Sequence, residues 1–144
     1  LLPALLTEAN IEKGKQYFAE RCILCHQIGT LGVEVGPAVA SMRGLRKRGI
    51  LEAVLFPNRE VAPQYFGITV AHDSGTETGI LRGESDRSIT IRQAGGTDLT
   101  LVKSSITSIR SEGVSLMPEG LLEGLEVQEV ADLLEFIMYE GIGQ

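Results

Sequence analysis

Cys22-Ile23-Leu24-Cys25-His26 sets two thiols three positions apart and an imidazole directly after the second. C-x-x-C-H is the attachment pattern of a c-type haem. Two sulfurs on one helical turn add to the two vinyl groups of the porphyrin, and the histidine is placed to bind the iron from one face. On this reading Cys22 and Cys25 carry one covalently attached haem and His26 is a metal ligand. The chemistry then belongs to the cofactor, and the chain positions and tunes the iron. Two other chemistries use similar residues. A thioredoxin-type pair sits after a strand at a helix start, whereas this motif follows a helical stretch. A zinc site needs four ligands, typically from a second pair, and beyond the motif the chain adds only His72.

A six-coordinate iron needs a second ligand. Ser115-Leu116-Met117-Pro118-Glu119-Gly120 presents a methionine in a stretch that Pro118 keeps out of regular helix. Met117 is the candidate: a soft thioether favours ferrous iron and raises the reduction potential. Its competitors are Met42, Met138 and His72. Met42 follows the first loop and is expected to pack, Met138 falls on an apolar helical stripe, and His72 falls at a hairpin turn where exposure is expected. A ligating histidine usually donates its other ring N–H to an acceptor that fixes its orientation. The carbonyl of Pro37, in Gly36-Pro37, is the candidate acceptor; the plainer reading of that pair is a turn.

The elements that must hold these residues read as helix, helix, strands, helix. Asn10 caps a first helix running to about Arg21, with Ile11, Gly14, Phe18 and Cys22 on one face. A Gly-rich loop ends at Gly36-Pro37. A second helix is predicted over Ala38–Leu55, broken near Gly44 or Gly49 and closed by Pro57. From Tyr65 to Ile109 the period changes. Phe66–Val70, Ser88–Arg92 and Asp98–Leu101 alternate apolar and polar residues, with turns at Asp73-Ser74-Gly75 and Ala94-Gly95-Gly96, which predicts an antiparallel meander. Val130, Leu133, Leu134, Ile137 and Met138 form the stripe of a last helix that Gly141 stops. No internal repeat or low-complexity segment interrupts this order.

Length and composition, 144 residues and 43% hydrophobic without Trp, suit one domain with an insertion. The net charge of −6, from 13 basic and 19 acidic residues, speaks against nucleic acid, whose binding depends on clustered cations. The one basic cluster, Arg43 to Arg48, is short; it is read as solvated, or as offering an arginine to a haem propionate. Both cysteines lie in the motif, which leaves none for a structural disulfide. No stretch is long and apolar enough to span a bilayer. Leu1-Leu2-Pro3-Ala4-Leu5-Leu6 lacks the basic region and length of a signal peptide. Haem attachment of this kind takes place outside the cytoplasmic membrane, so a periplasmic or otherwise exported protein is expected, with a leader or a larger upstream part preceding the chain.

With the motif, Gly36-Pro37 and Met117-Pro118 in this order, the chain resembles a class I c-type cytochrome. In that family the small residue and the aromatic matched by Gly14 and Phe18 let the first helix cross the last closely, against the positions of Leu133 and Phe136. A narrower resemblance is closer. Val35-Gly36-Pro37, Leu51-Glu52-Ala53-Val54-Leu55-Phe56-Pro57-Asn58 and Ser115-Leu116-Met117-Pro118-Glu119-Gly120-Leu121 are similar to the haem-binding domain of Pirellula- and Verrucomicrobium-type bacteria. That family carries a β-rich insert before the Met loop, often at the C-terminus of large exported proteins. Glu126 departs from it, standing where Thr or Ser caps the last helix. The resemblance implies a mainly α fold: a class I cytochrome c fold with a small antiparallel β-sheet inserted before the Met-ligand loop. It forms a single domain over 1–144, with a helical haem core at about 8–63 and 111–142 and the insertion at about 64–110. The function expected is electron transfer by a His26/Met117-ligated haem c, without catalysis of its own. The partner is a redox protein: a dehydrogenase domain, another cytochrome or an oxidase. The alternative is a haem sensor or peroxidase-like enzyme with an open or labile sixth position. The inserted sheet is either an interaction module, which gives a homodimer or a docking face, or a cover over the Met-side haem edge.

Overall fold

Asn10 starts the first helix by accepting a hydrogen bond from the Lys13 N–H at 3.0 Å, which satisfies one of the unpaired donors of a helix start. The helix, α1, spans Ile11–Arg21. A computed structural model describes residues 2–142, so the outer bounds of the domain expected over 1–144 lie outside the described residues. The last helix, α3, spans Val127–Tyr139 and buries the whole stripe from Val130 to Met138 that its periodicity marks. Glu126 caps it. The Glu129 carboxylate accepts from the Glu126 N–H at 2.9 Å, the back-bond of a capping box.

α1 and α3 cross in close contact because Gly14 has no side chain. A Cβ there would lie 1.9 Å from the Asp132 carbonyl oxygen and 2.8 Å from Phe136 Cβ. Beside the crossing the Phe18 and Phe136 rings pack with centroids 5.3 Å apart, in the tilted geometry that aromatic pairs favour. Asp132 is buried in the same crossing. Its Oδ1 accepts from the Asn10 N–H at 2.8 Å and from the Gln128 side chain at 2.9 Å, so this buried carboxylate fastens α3 to the cap of α1. Between these helices the chain forms a small hairpin, β1 (Gln27–Ile28) with β2 (Leu31–Gly32), then a 3-10 stretch over Val39–Leu45 and α2 over Arg46–Leu55. The helix expected over 38–55 with a break near Gly44 or Gly49 is thus two pieces. They join at Arg46, which takes a φ of +62°, beside Gly44.

The second half of the core is a sheet. β3 (Phe66–His72), β4 (Gly75–Glu84), β5 (Ser88–Arg92), β6 (Asp98–Val102) and β7 (Ile106–Ser115) are all antiparallel, in the order β6-β5-β4-β3-β7. β6 and β7 lie at opposite edges, yet only Lys103–Ser105, one 3-10 turn, joins them. In a flat sheet the two edges would be about 19 Å apart, while the turn advances only about 8 Å. The sheet is therefore curled until its edges approach. Val70, Ile89, Ile91 and Leu101 fill its concave side, separately from the helical core around Phe18, Leu51, Leu133 and Phe136.

This architecture corrects the expected mainly α class I cytochrome c fold with a small inserted sheet. The chain is mixed, 37% helix and 29% strand, with a β layer comparable to its helical one. Three of the five strands alternate visibly in the sequence. The other two, β4 and β7, are the longest and do not. β4 contains Gly79 and slips register between Leu81 and Gly83, and β7 slips register against β3 in two places and carries Gly113 at a φ of +68°. Each irregularity scrambles the two-residue period that marks a strand. Among the described residues no helix is long and apolar enough to cross a membrane.

Candidate functional site

The C-x-x-C-H motif begins where α1 ends. Cys22 caps the helix, and the N–H groups of Cys25 and His26 both donate to its carbonyl, at 3.2 and 2.9 Å. That turn brings residues 22, 25 and 26 to one side. The following loop folds back over the motif. Val35 and Gly36 donate to the Cys25 carbonyl at 2.9 and 2.7 Å, and Val33 donates to the Ile23 carbonyl at 3.2 Å. Two glycines allow this approach. A Cβ on Gly32, at a φ of +84°, would lie 2.1 Å from the His26 carbonyl oxygen; one on Gly36 would lie 2.7 Å from Cε1 of the His26 ring.

His26 Nδ1 stands 2.8 Å from the Pro37 carbonyl oxygen. A carbonyl only accepts, so Nδ1 carries a proton, and in the neutral ring the lone pair falls on Nε2. The orientation expected from Gly36-Pro37 is present. His26, Cys22, Cys25, Pro37 and Met117 all line a single cavity of about 630 Å³. This volume lies in the range of small-molecule and cofactor sites, roughly 300 to 1,000 Å³. Its wall is overwhelmingly apolar, with Val35, Val39, Ile50, Val54 and Ile137 from the helical half and Ile80 from β4. The sheet is thus part of the cavity wall. It also grips the motif from outside, since Gly95 at the β5–β6 turn donates to the Leu24 carbonyl at 2.6 Å and Arg92 donates to the Glu34 carbonyl at 2.8 Å.

Both cysteine thiols are held protonated. Burial pushes Cys22 up to about 12, with the Arg21 charge opposing weakly, and burial raises Cys25 as well. A thiol–disulfide exchange centre needs the reverse, a thiolate stabilised near neutral pH. Among the described residues no three His, Cys, Asp or Glu side chains gather as a metal cluster. Two partly buried sulfurs and one imidazole oriented by Pro37, on the wall of a large apolar cavity, fit a covalently held haem.

Of the competing ligands, Met138 and His72 lie off the cavity wall and Met42 lies on it. Met138 is buried in the helical core. Met42, expected to pack, does so on the cavity wall. His72 was expected at the surface, but only 11% of its side chain is exposed. It shares the inward-facing side of β3 with Ile68 and Val70, and its Nδ1 accepts from the Ser74 N–H at 3.3 Å. The basic cluster lies off the cavity wall and is only partly solvated: Arg46 and Arg48 are exposed, whereas Arg43 and Lys47 turn to α3. Arg43 donates to the carbonyls of Ile137 and Glu140 at 2.9 and 2.7 Å, where it caps the end of α3, and Lys47 pairs with Glu135 of the same helix. Sequence reasoning missed Gly32, Ile80, Asn58 and Ser115. Gly32 gave no signal beyond its turn; Ile80 lies in the irregular strand; Asn58 and Ser115 act through hydrogen bonds that no periodicity reveals. In comparisons with known proteins, no family model matches the chain and no curated protein matches it.

Proposed function

We propose that this chain is an electron carrier that holds one haem c through Cys22 and Cys25, with His26 and Met117 as iron ligands. When bound, the haem supplies an iron that accepts and releases one electron. The remaining work falls to the protein. Pro37 holds the His26 ring in one orientation through the 2.8 Å hydrogen bond to Nδ1, which also makes Nε2 a stronger donor. Met117 offers a neutral, soft sulfur that raises the reduction potential. The apolar wall keeps water away and leaves few dipoles to rearrange when the charge changes. The observation that carries this reading is the meeting of both cysteines, an oriented histidine and Met117 in one apolar cavity. The segments behind the resemblance to the Pirellula- and Verrucomicrobium-type haem-binding domain, 35–37, 51–58 and 115–121, supply much of the same wall, which supports it further.

A peroxidase-like site uses a distal His or Arg beside an open iron position. His26 is the only histidine among the lining residues, and none of them is an arginine, so the electron-carrier reading is preferred. The partner is then a redox protein that reaches the haem edge, and attachment chemistry of this kind places the protein outside the cytoplasmic membrane. The test is production in a host that attaches haem c, followed by denaturation and redox titration. Haem that stays with the chain after denaturation, is lost with Cys22→Ala and Cys25→Ala together, and titrates reversibly with one electron supports the proposal. Haem that washes out of the denatured protein contradicts it.

A further inference from the structure

Met117 lies in a loop that begins where β7 ends at Ser115 and turns at Gly120, which takes a φ of +82°. A thioether is a weak, neutral ligand, so its hold on an iron depends on the loop staying in place. One side chain outside the loop grips it on both sides of Met117. Asn58 Oδ1 accepts from the Ser115 N–H at 2.7 Å, and Asn58 Nδ2 donates to Glu119 Oε1 at 3.3 Å. The first grip passes directly to the ligand residue, because Ser115 Oγ accepts from the Met117 N–H at 3.0 Å. Asn58 itself is anchored by its neighbour: Pro57 is buried and forms part of the cavity wall.

We infer that Asn58 is a positioning residue for the sixth ligand, an amide clamp that holds the Met117 loop closed over the iron. The inference rests on the proposal that Met117 is that ligand. An amide is suited to the task because it accepts from one side of the loop and donates to the other. Alanine removes both contacts; aspartate keeps the acceptor for Ser115 and sets a carboxylate against Glu119.

The experiment compares haem-loaded wild type, Asn58→Ala and Asn58→Asp. The readouts are the weak far-red band of Met-ligated ferric haem and the rate of carbon monoxide binding to the ferrous form. A change in mere stability does not move either. Loss of the clamp raises the carbon monoxide rate about fivefold or more in Asn58→Ala, with a weakened far-red band at unchanged haem content and circular dichroism. Asn58→Asp falls between it and wild type. If Asn58→Ala fails to fold, Asn58→Asp alone decides by the same two readouts. A wild type with the band, and variants that keep both band and rate, overturn the inference while Met117 ligation stands. A wild type without the band overturns the ligand reading itself and the clamp with it.

Discussion

Gly36→Ala is the smallest change that strikes the site directly. Its methyl group would lie 2.7 Å from His26 Cε1, 3.2 Å from Nδ1 and 3.3 Å from Nε2. Carbon atoms pack comfortably at about 3.5 to 4.0 Å, so the ring or the backbone must retreat by about 0.8 Å or more. The backbone is pinned, since the Gly36 N–H donates to the Cys25 carbonyl at 2.7 Å, and the ring therefore yields. A retreat of that size stretches the 2.8 Å bond to Pro37 to about 3.6 Å, at which it is no longer a hydrogen bond. Overpacking costs about 1 to 3 kcal/mol, and the lost hydrogen bond about 0.5 to 1.5 kcal/mol. Alanine's smaller unfolded-state entropy offsets about 0.4 to 1 kcal/mol, because Gly36 does not need a positive φ. The net cost is about 2 kcal/mol, a fall in Tm of roughly 7 °C for a domain of this size. Thermal unfolding of the haem-loaded ferric protein, followed by circular dichroism and haem absorption, measures it. A Tm within about 1 °C of wild type, with an unaltered haem spectrum, would refute the reasoning.

Three further outcomes follow from the same geometry. Met117→Ala opens the ferrous iron to carbon monoxide, whereas Met42→Ala, at the same cavity, leaves the sixth position filled; stopped-flow binding separates the two. Asp132→Ala takes the acceptor from the part-buried Asn10 N–H and removes the Gln128 contact, at a cost of about 1 kcal/mol in denaturant unfolding. Acid loosens the β5–β6 turn. The Arg92 hydrogen bond holds Asp98 below its ordinary value of 3.8, so the pair's contribution is full above that value and is lost as the pH falls through the lower, folded one. The amide resonance of Gly95, bonded to Leu24, should titrate in wild type and stay still in Asp98→Asn.

The parts of the site that could be read from sequence are those fixed by local chemistry. C-x-x-C-H places two sulfurs and an imidazole on one turn through spacing alone, Pro37 follows His26 closely enough to be its acceptor, and Pro118 marks Met117 as a loop residue. α1 was legible because a cap and a period agree, and α3 because a period and a stopping glycine do. The sheet was legible only where strands alternate. β4 and β7 bend through register slips and glycines, so the size of the β layer, and with it the mixed character of the fold, stayed hidden. The same cause conceals Ile80, which reaches the cavity from an irregular strand. Side chains that act across the fold gave no local signal either. Asn58 meets Ser115 and Glu119 from 57 and 61 residues away, and Arg43 meets the end of α3 from 94 and 97 residues away. Their partners are set by packing, not by neighbours in sequence.

The central claim is that His26 and Met117 close both faces of a covalently attached haem. The most direct test is the optical spectrum of the purified protein in ferric and ferrous forms, with carbon monoxide added to the latter. The account predicts a low-spin spectrum, the weak far-red band of Met-ligated ferric haem, and only slow binding of carbon monoxide. A high-spin spectrum or ready carbon monoxide binding would contradict it and point to an open or labile sixth position.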